Sequence, residues 1–200
     1  MSEALIIVDV QNDFIEGGAL AVDGGTDVAY EAAALIRNGS YDYIVTTQDW
    51  HINPGSHWSD NPDYLDTWPV HCAAGTHGAE LHADVAAALT ESEKAGQKTL
   101  RIVKGEYEAA YSGFEGRERS DTNSTQTVAD LLRSKGIDHV TVIGLATDHC
   151  VKATAMDALQ NGFKTSLLCD AIAGVGAESS QQAIRELHNA GVNVIFDRNN

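Results

Sequence analysis

The groups able to do covalent or acid–base chemistry stand just beyond apolar runs: Asp9 in IIVDVQNDF, Asp49 with His51 in TTQDWH, Lys104 in RIVKG, and Cys150 in GLATDHC. Cys150 follows an apolar run, Gly144 and a short turn, and it precedes the helical pattern of Val151, Ala155 and Leu159. At the start of a helix, unpaired N–H groups and the positive end of the dipole lower a cysteine pKa and can hold an oxyanion. A lone cysteine is more often an inert core thiol. The company of Asp9 and Lys104 argues for a nucleophile. Asp9 ends an otherwise apolar run, where a carboxylate is either a satisfied anchor or a proton acceptor for a neighbouring nucleophile. Lys104, just before Gly105, could keep Asp9 ionised and support negative sulfur, or could be a strand-end lysine reaching for solvent.

A second cluster has the composition of a metal site. Asp49 and His51 are two apart and point to the same side of an extended segment. His71, with His57 as a further candidate, arrives from the irregular stretch that follows. Carboxylate with imidazoles suits one divalent ion such as zinc, iron or manganese, and a set without thiolate is typical of an ion that keeps positions open. Histidines making ordinary hydrogen bonds are the alternative, and His77, His82, His139 and His188 show that this chain has others.

The elements that must position these groups alternate. Near-continuous apolar runs at 4–9, 42–48, 99–104, 139–144, 165–169 and 192–196 predict six strands covered on both faces. Helical spacing predicts helices over 27–38, 79–89, 124–135, 148–161 and 178–190, with Gly136, Gly162 and Gly191 where helices would stop. The expected fold is α/β, a doubly wound, mainly parallel sheet within one domain spanning 1–200. Ligands of such sheets bind outside the carboxyl ends of the strands, where all the groups above lie. The stretch 112–124 lacks apolar periodicity and reads as a loop or lid.

Bulk properties narrow the classes. With 200 residues, 43% hydrophobic, the chain can bury one substantial core. A formal charge of −16 makes nucleic acid and anionic membrane surfaces poor partners. The N-terminal apolar run ends at Asp9, too early for a signal peptide or a membrane span. Three scattered cysteines, Cys72, Cys150 and Cys169, do not suggest a disulfide framework, and a cytoplasmic location is expected.

IIVDVQNDF with its following Gly-Gly-Ala-Leu, TTQDWH with the later His57, TWPVHC, IVKG, AAYSGFEG and GLATDHCVKATAMDA occur in an order that resembles the nicotinamidases, or pyrazinamidases, of the isochorismatase-like cysteine hydrolases. The resemblance covers nearly the whole chain. It implies a triad of Asp9, Lys104 and Cys150 and a metal on Asp49, His51 and His71, with His57 matching a ligand of some relatives. It also implies a cis peptide between Leu145 and Ala146, an oxyanion hole from the N–H groups of Ala146 and Cys150, and pocket aromatics at Phe14, Trp68 and Tyr111. The implied substrate is nicotinamide, with pyrazinamide beside it, its ring nitrogen on the metal and its carboxamide facing Cys150. An isochorismatase-type ether hydrolase or a carbamoyl-group amidohydrolase is the alternative within the fold. Those relatives generally lack the Asp-x-His…His cluster. A catalytically silent binding protein would require a broken triad. Metal identity and oligomeric state are not fixed by the sequence.

Overall fold

The computed structural model describes residues 2–196. Seven strands form one sheet: β1 (Ser2–Val8), β2 (Tyr43–Asp49), β3 (Lys98–Lys104), β4 (Arg117–Glu118), β5 (Ile137–Leu145), β6 (Lys164–Ala173) and β7 (Asn193–Ile195). Their order is β4-β3-β2-β1-β5-β6-β7, and all neighbours are parallel except β3 and β4. Among the described residues the α-helices are α1 (Gly25–Asn38), α2 (Ala83–Lys94), α3 (Val128–Ser134), α4 (Lys152–Gln160) and α5 (Ala177–Ala190).

β1 explains why the sheet is covered twice. Leu5 and Ile7 pack into one core with residues of α1 and α2, whereas Ala4, Ile6 and Val8 pack into a second with residues of α3, α4 and α5. Period-two alternation sends successive side chains to opposite faces, and both faces are apolar. Each fully buried Leu, Ile or Val of this kind contributes about 1.5–3 kcal/mol. The sheet grows from β1 outward to β2 and β3 on one side, then returns to β5, β6 and β7 on the other. Strand order therefore reverses at β1, and the crevice at such a switch point is the ligand site of an open α/β sheet.

Two expectations need correction. The stretch 112–124 is no free lid, because it contains a 3-10 turn (Gly113–Glu115) and then β4, whose Arg117 and Glu118 pair with Val103 and Ile102. Ser112 caps this turn, and Glu115 Oε2 accepts from the N–H groups of Tyr111 at 2.9 Å and Ser112 at 2.7 Å. Cys150 is not in the first turn of α4 itself. It lies in a wider π-type turn, Thr147–Val151, in which Val151 N–H donates to Ala146 C=O at 3.1 Å, before α4 begins at Lys152.

Candidate active site

Four adjacent strands deliver the expected groups to one end of the sheet. β2 and β3 place Asp49 opposite Lys104 in register, β1 leads to Asp9, and β5 leads to the turn that carries Cys150. Lys104 joins them, though it is only 2% exposed. Its Nζ lies 2.9 Å from Asp9 Oδ2 and 3.6 Å from Cys150 Sγ, and it donates to Ala110 C=O at 3.1 Å and to Asp49 Oδ1. Asp9, Asp49 and Cys150 each offer a ligand-type atom within 4.8 Å of the others. Asp9 sits just past β1 at φ 49, a left-handed conformation uncommon outside glycine. Thr47 Oγ1 donates to its Oδ1 at 2.6 Å, while Oδ2 faces Lys104 without a well-aligned hydrogen bond.

One lysine between two buried carboxylates sets the charge distribution. Burial lifts the Asp9 carboxyl above its ordinary range, and Asp49 adds to the rise against the pull of Lys104. For Asp49, burial also raises, but Lys104 and the neighbouring histidines prevail and hold the carboxyl below its usual range. Lys104 is desolvated too, yet the two carboxylates keep its ammonium well above the ordinary lysine value. Asp49 is thus firmly ionised, and Asp9 is the carboxylate that more readily accepts a proton. Burial pushes the Cys150 thiol well above its ordinary value; Lys104 opposes this, and Asp9 and Asp49 reinforce it. The expectation of a thiolate favoured by the helix start is therefore reversed. Cys150 rests as a neutral thiol and needs a base, and Asp9 is beside it.

Beyond Asp49 lie three imidazoles. His51, His57 and His71 are buried, and each offers a nitrogen within 4.8 Å of the others. Asp49 Oδ2 is 3.6 Å from His51 Nε2 and 3.9 Å from His71 Nε2. The ring orientations have a cause: His51 Nδ1 lies 2.5 Å from Gly105 C=O and His71 Nδ1 lies 2.8 Å from Pro69 C=O. A carbonyl on Nδ1 requires the proton there, which turns Nε2 toward Asp49. His51 Nε2 and His57 Nδ1 have no hydrogen-bond partner although buried. Burial, and then the other two imidazoles, lower His57 to about 4, so it is neutral at pH 7. Burial also lowers His71. A neutral His57, orphaned nitrogens on His51 and His57 and an ionised carboxylate beside them fit a divalent cation, and His57 belongs with the set as closely as His51 and His71.

Between sulfur and imidazoles is a pocket walled by Phe14, Trp68 and Tyr111, with Leu20, Val22 and Val175 completing its apolar lining. Trp68 Nε1 donates to Tyr111 Oη at 3.2 Å, and Phe14 packs its ring 5.6 Å from that of His71. Ala146 lines the pocket, and the peptide between Leu145 and Ala146 is cis. Sequence reasoning missed His149, which stacks on Tyr111 with centroids 6.1 Å apart and meets Trp68 edge-on at 5.4 Å. Its place directly before Cys150 was the available signal. Gln11 was missed as well. Its Nε2 donates to Asp49 C=O and to Ala79 C=O, both at 2.8 Å, and its Oε1 accepts from Asp49 N–H at 2.8 Å, so an amide side chain continues the pairing where β1 has ended.

The family model described as the isochorismatase domain matches residues 3–196. The nicotinamidase/pyrazinamidase of Mycobacterium tuberculosis is 44% identical over 193 residues, which cover 96% of this chain and 97% of that protein. A pyrazinamidase of Pyrococcus horikoshii, solved in complex with zinc, is 34% identical with a TM-score of 0.73, over 98% of this chain and 100% of that one. The PnC1 protein of L. infantum, solved in complex with nicotinate, is 34% identical with a TM-score of 0.76, over 97% and 92% of the respective chains.

Proposed function

The chain belongs to the isochorismatase family, and from that premise we propose that it is a nicotinamidase whose Cys150 attacks the carboxamide of nicotinamide, and of pyrazinamide, to release ammonia and the acid. The observation that carries this reading is Cys150, backed by Lys104 and Asp9, in the lining of an aromatic pocket that His57 and His71 also line. A ring amide spans the sulfur and the imidazoles.

In this mechanism Phe14, Trp68 and Tyr111 hold the planar ring and exclude water from it. Asp9 takes the thiol proton as sulfur bonds to the amide carbon, and the N–H groups of Ala146 and Cys150 receive the oxyanion. Such a donor contributes on the order of 3 kcal/mol to the transition state. Protonated Asp9 then passes its proton to the departing nitrogen, the C–N bond breaks, and ammonia leaves a thioester on Cys150. A water molecule, deprotonated by Asp9, cleaves the thioester, and the thiol regains its proton as the acid leaves. Lys104 balances whichever of Asp9 and sulfur is negative. Asp49, His51, His57 and His71 would hold one divalent ion; zinc, iron and manganese suit this donor set, and the zinc-complexed Pyrococcus relative favours zinc. When bound, such an ion would supply Lewis-acid polarisation to a substrate held in the pocket. The free thiols Cys72, Cys150 and Cys169 support a reducing, cytoplasmic setting.

Ammonia release from nicotinamide by the purified, reduced protein is the test, before chelation, after it, and with individual metals restored. We expect activity that chelation removes and one or more of the three ions returns. A fully metallated protein inert towards nicotinamide and pyrazinamide would refute the substrate assignment.

A further inference from the structure

We propose that Asp13 is a positioning residue for the metal centre, fixing the peptide that links His71 to His51. The inference rests on the metal-centre reading above and extends it to a side chain outside the ligand set. Asp13 lies in the 3-10 turn Asn12–Phe14 that follows β1. Its Oδ2 accepts from Cys72 N–H at 2.7 Å and its Oδ1 from Ala19 N–H at 3.3 Å. Its own N–H donates to Gly78 C=O at 3.0 Å. One carboxylate therefore ties the turn after β1 to the segment that carries His71.

Cys72 is the pivotal contact. It directly follows His71 and has φ 46, a left-handed conformation that a non-glycine residue keeps only where its surroundings fix it. On one side of Cys72 the Asp13 carboxylate takes its N–H; on the other its C=O accepts from His51 N–H at 3.0 Å. His51 C=O in turn accepts from Ala74 N–H at 2.8 Å, which closes a bridge between the two ligand segments. Without the carboxylate, Cys72 N–H loses its acceptor, and the bridged His71 and His51 segments lose their anchor to the turn after β1. Partners of this outer kind orient metal ligands, and removing one typically weakens the metal about 10–100-fold.

Gly78 gives independent access to the same carboxylate. A Cβ at that position would lie 2.1 Å from Asp13 Oδ2, and the Gly78 backbone is outside the left-handed region, so alanine acts there by displacing Asp13. The experiment titrates zinc, in competition with a chromophoric chelator, into demetallated wild type, D13N, G78A and H71A, with circular dichroism and apo-protein melting recorded for each. We expect one zinc per wild-type chain, loss of tight binding in H71A, and dissociation constants about 10–100-fold weaker in D13N and G78A at native circular dichroism. A side chain that merely supports the fold would lower melting without moving the zinc affinity of the folded protein. Wild-type affinity in folded D13N and G78A overturns the proposal, as does unfolding of both variants. Absence of stoichiometric zinc binding in wild type overturns the metal-centre reading beneath it, and is recognised by a flat H71A comparison.

Discussion

Asp49 divides its carboxylate between two neighbours, Oδ1 toward Lys104 and Oδ2 toward His51 and His71. That division matters for Asp9. Because the lysine serves two acids and the imidazoles assist only one of them, negative charge settles on Asp49 and proton affinity on Asp9. A base beside a neutral, buried thiol is the arrangement that the proposed mechanism uses. Two substitutions separate the roles. C150A should abolish ammonia release, a loss of at least about a thousandfold, while metal content and circular dichroism stay native. D9N removes the base and leaves the sulfur, and should lower turnover about 10²–10⁴-fold. Near-native rates in D9N would transfer the proton to some other acceptor. The positions of Asp9, Lys104 and Cys150 were legible because Lys104 ends an apolar strand and the other two come shortly after one. The thiol's pKa was not, since it depends on which charges share the crevice after folding, and two carboxylates with burial outweigh one ammonium there.

At the scale of elements, the turn after β3 does for His51 what no strand could. Gly105 has φ 72, and a Cβ on it would come within 2.6 Å of His51 Cε1 and 2.9 Å of its Nδ1. The same residue presents the carbonyl that fixes the His51 tautomer. G105A should therefore carry left-handed strain of about 1–2 kcal/mol, a fall in melting temperature of roughly 2–8 °C. It should also weaken zinc about tenfold or more by turning the ring. Calorimetry with a chelator titration reads both, and an unchanged zinc affinity would leave only the backbone term. The six parallel strands and five helices were legible because two-faced burial produces unbroken apolar runs and helices carry their own period. β4 was not: Arg117 and Glu118 have no pattern of their own and become a strand only by pairing with β3. The third helix starts at Val128 rather than near 124 because the Thr127 side chain caps Asp130 N–H. The His57 position lacked a periodic signal as well, since the irregular segment carrying it is shaped by long-range contacts.

For the whole molecule the dominant electrostatic fact is 29 acidic side chains against 13 Lys and Arg. Some acids are held low by local bonds. Glu16 accepts from Gly24 N–H at 2.7 Å and Thr26 N–H at 2.8 Å, and with the Thr26 hydroxyl as the leading cause its pKa falls from 4.5 to about 2. A depressed carboxyl stabilises the fold fully above its unfolded value and loses that contribution as pH falls towards its folded one. The urea midpoint of E16Q should thus lie slightly below wild type at pH 7, and the gap should narrow steadily from about pH 5 to pH 3; the exposure of Glu16 keeps it small. Such local bonds leave the net charge unchanged. Even if every Lys and Arg were paired, a formal −16 would remain, so repulsion exceeds attraction at pH 7 and screening should relieve more than it removes. Raising sodium chloride from about 0.02 to 0.5 M should increase the melting temperature at pH 7, because the Debye length then contracts from about 20 Å to a few ångströms. Near the sequence pI of 4.6 the net charge vanishes, and the same salt step should have little effect. A melting temperature that falls with salt at pH 7 would show that surface pairs such as Arg37–Glu91 and Lys152–Glu186 outweigh the general repulsion.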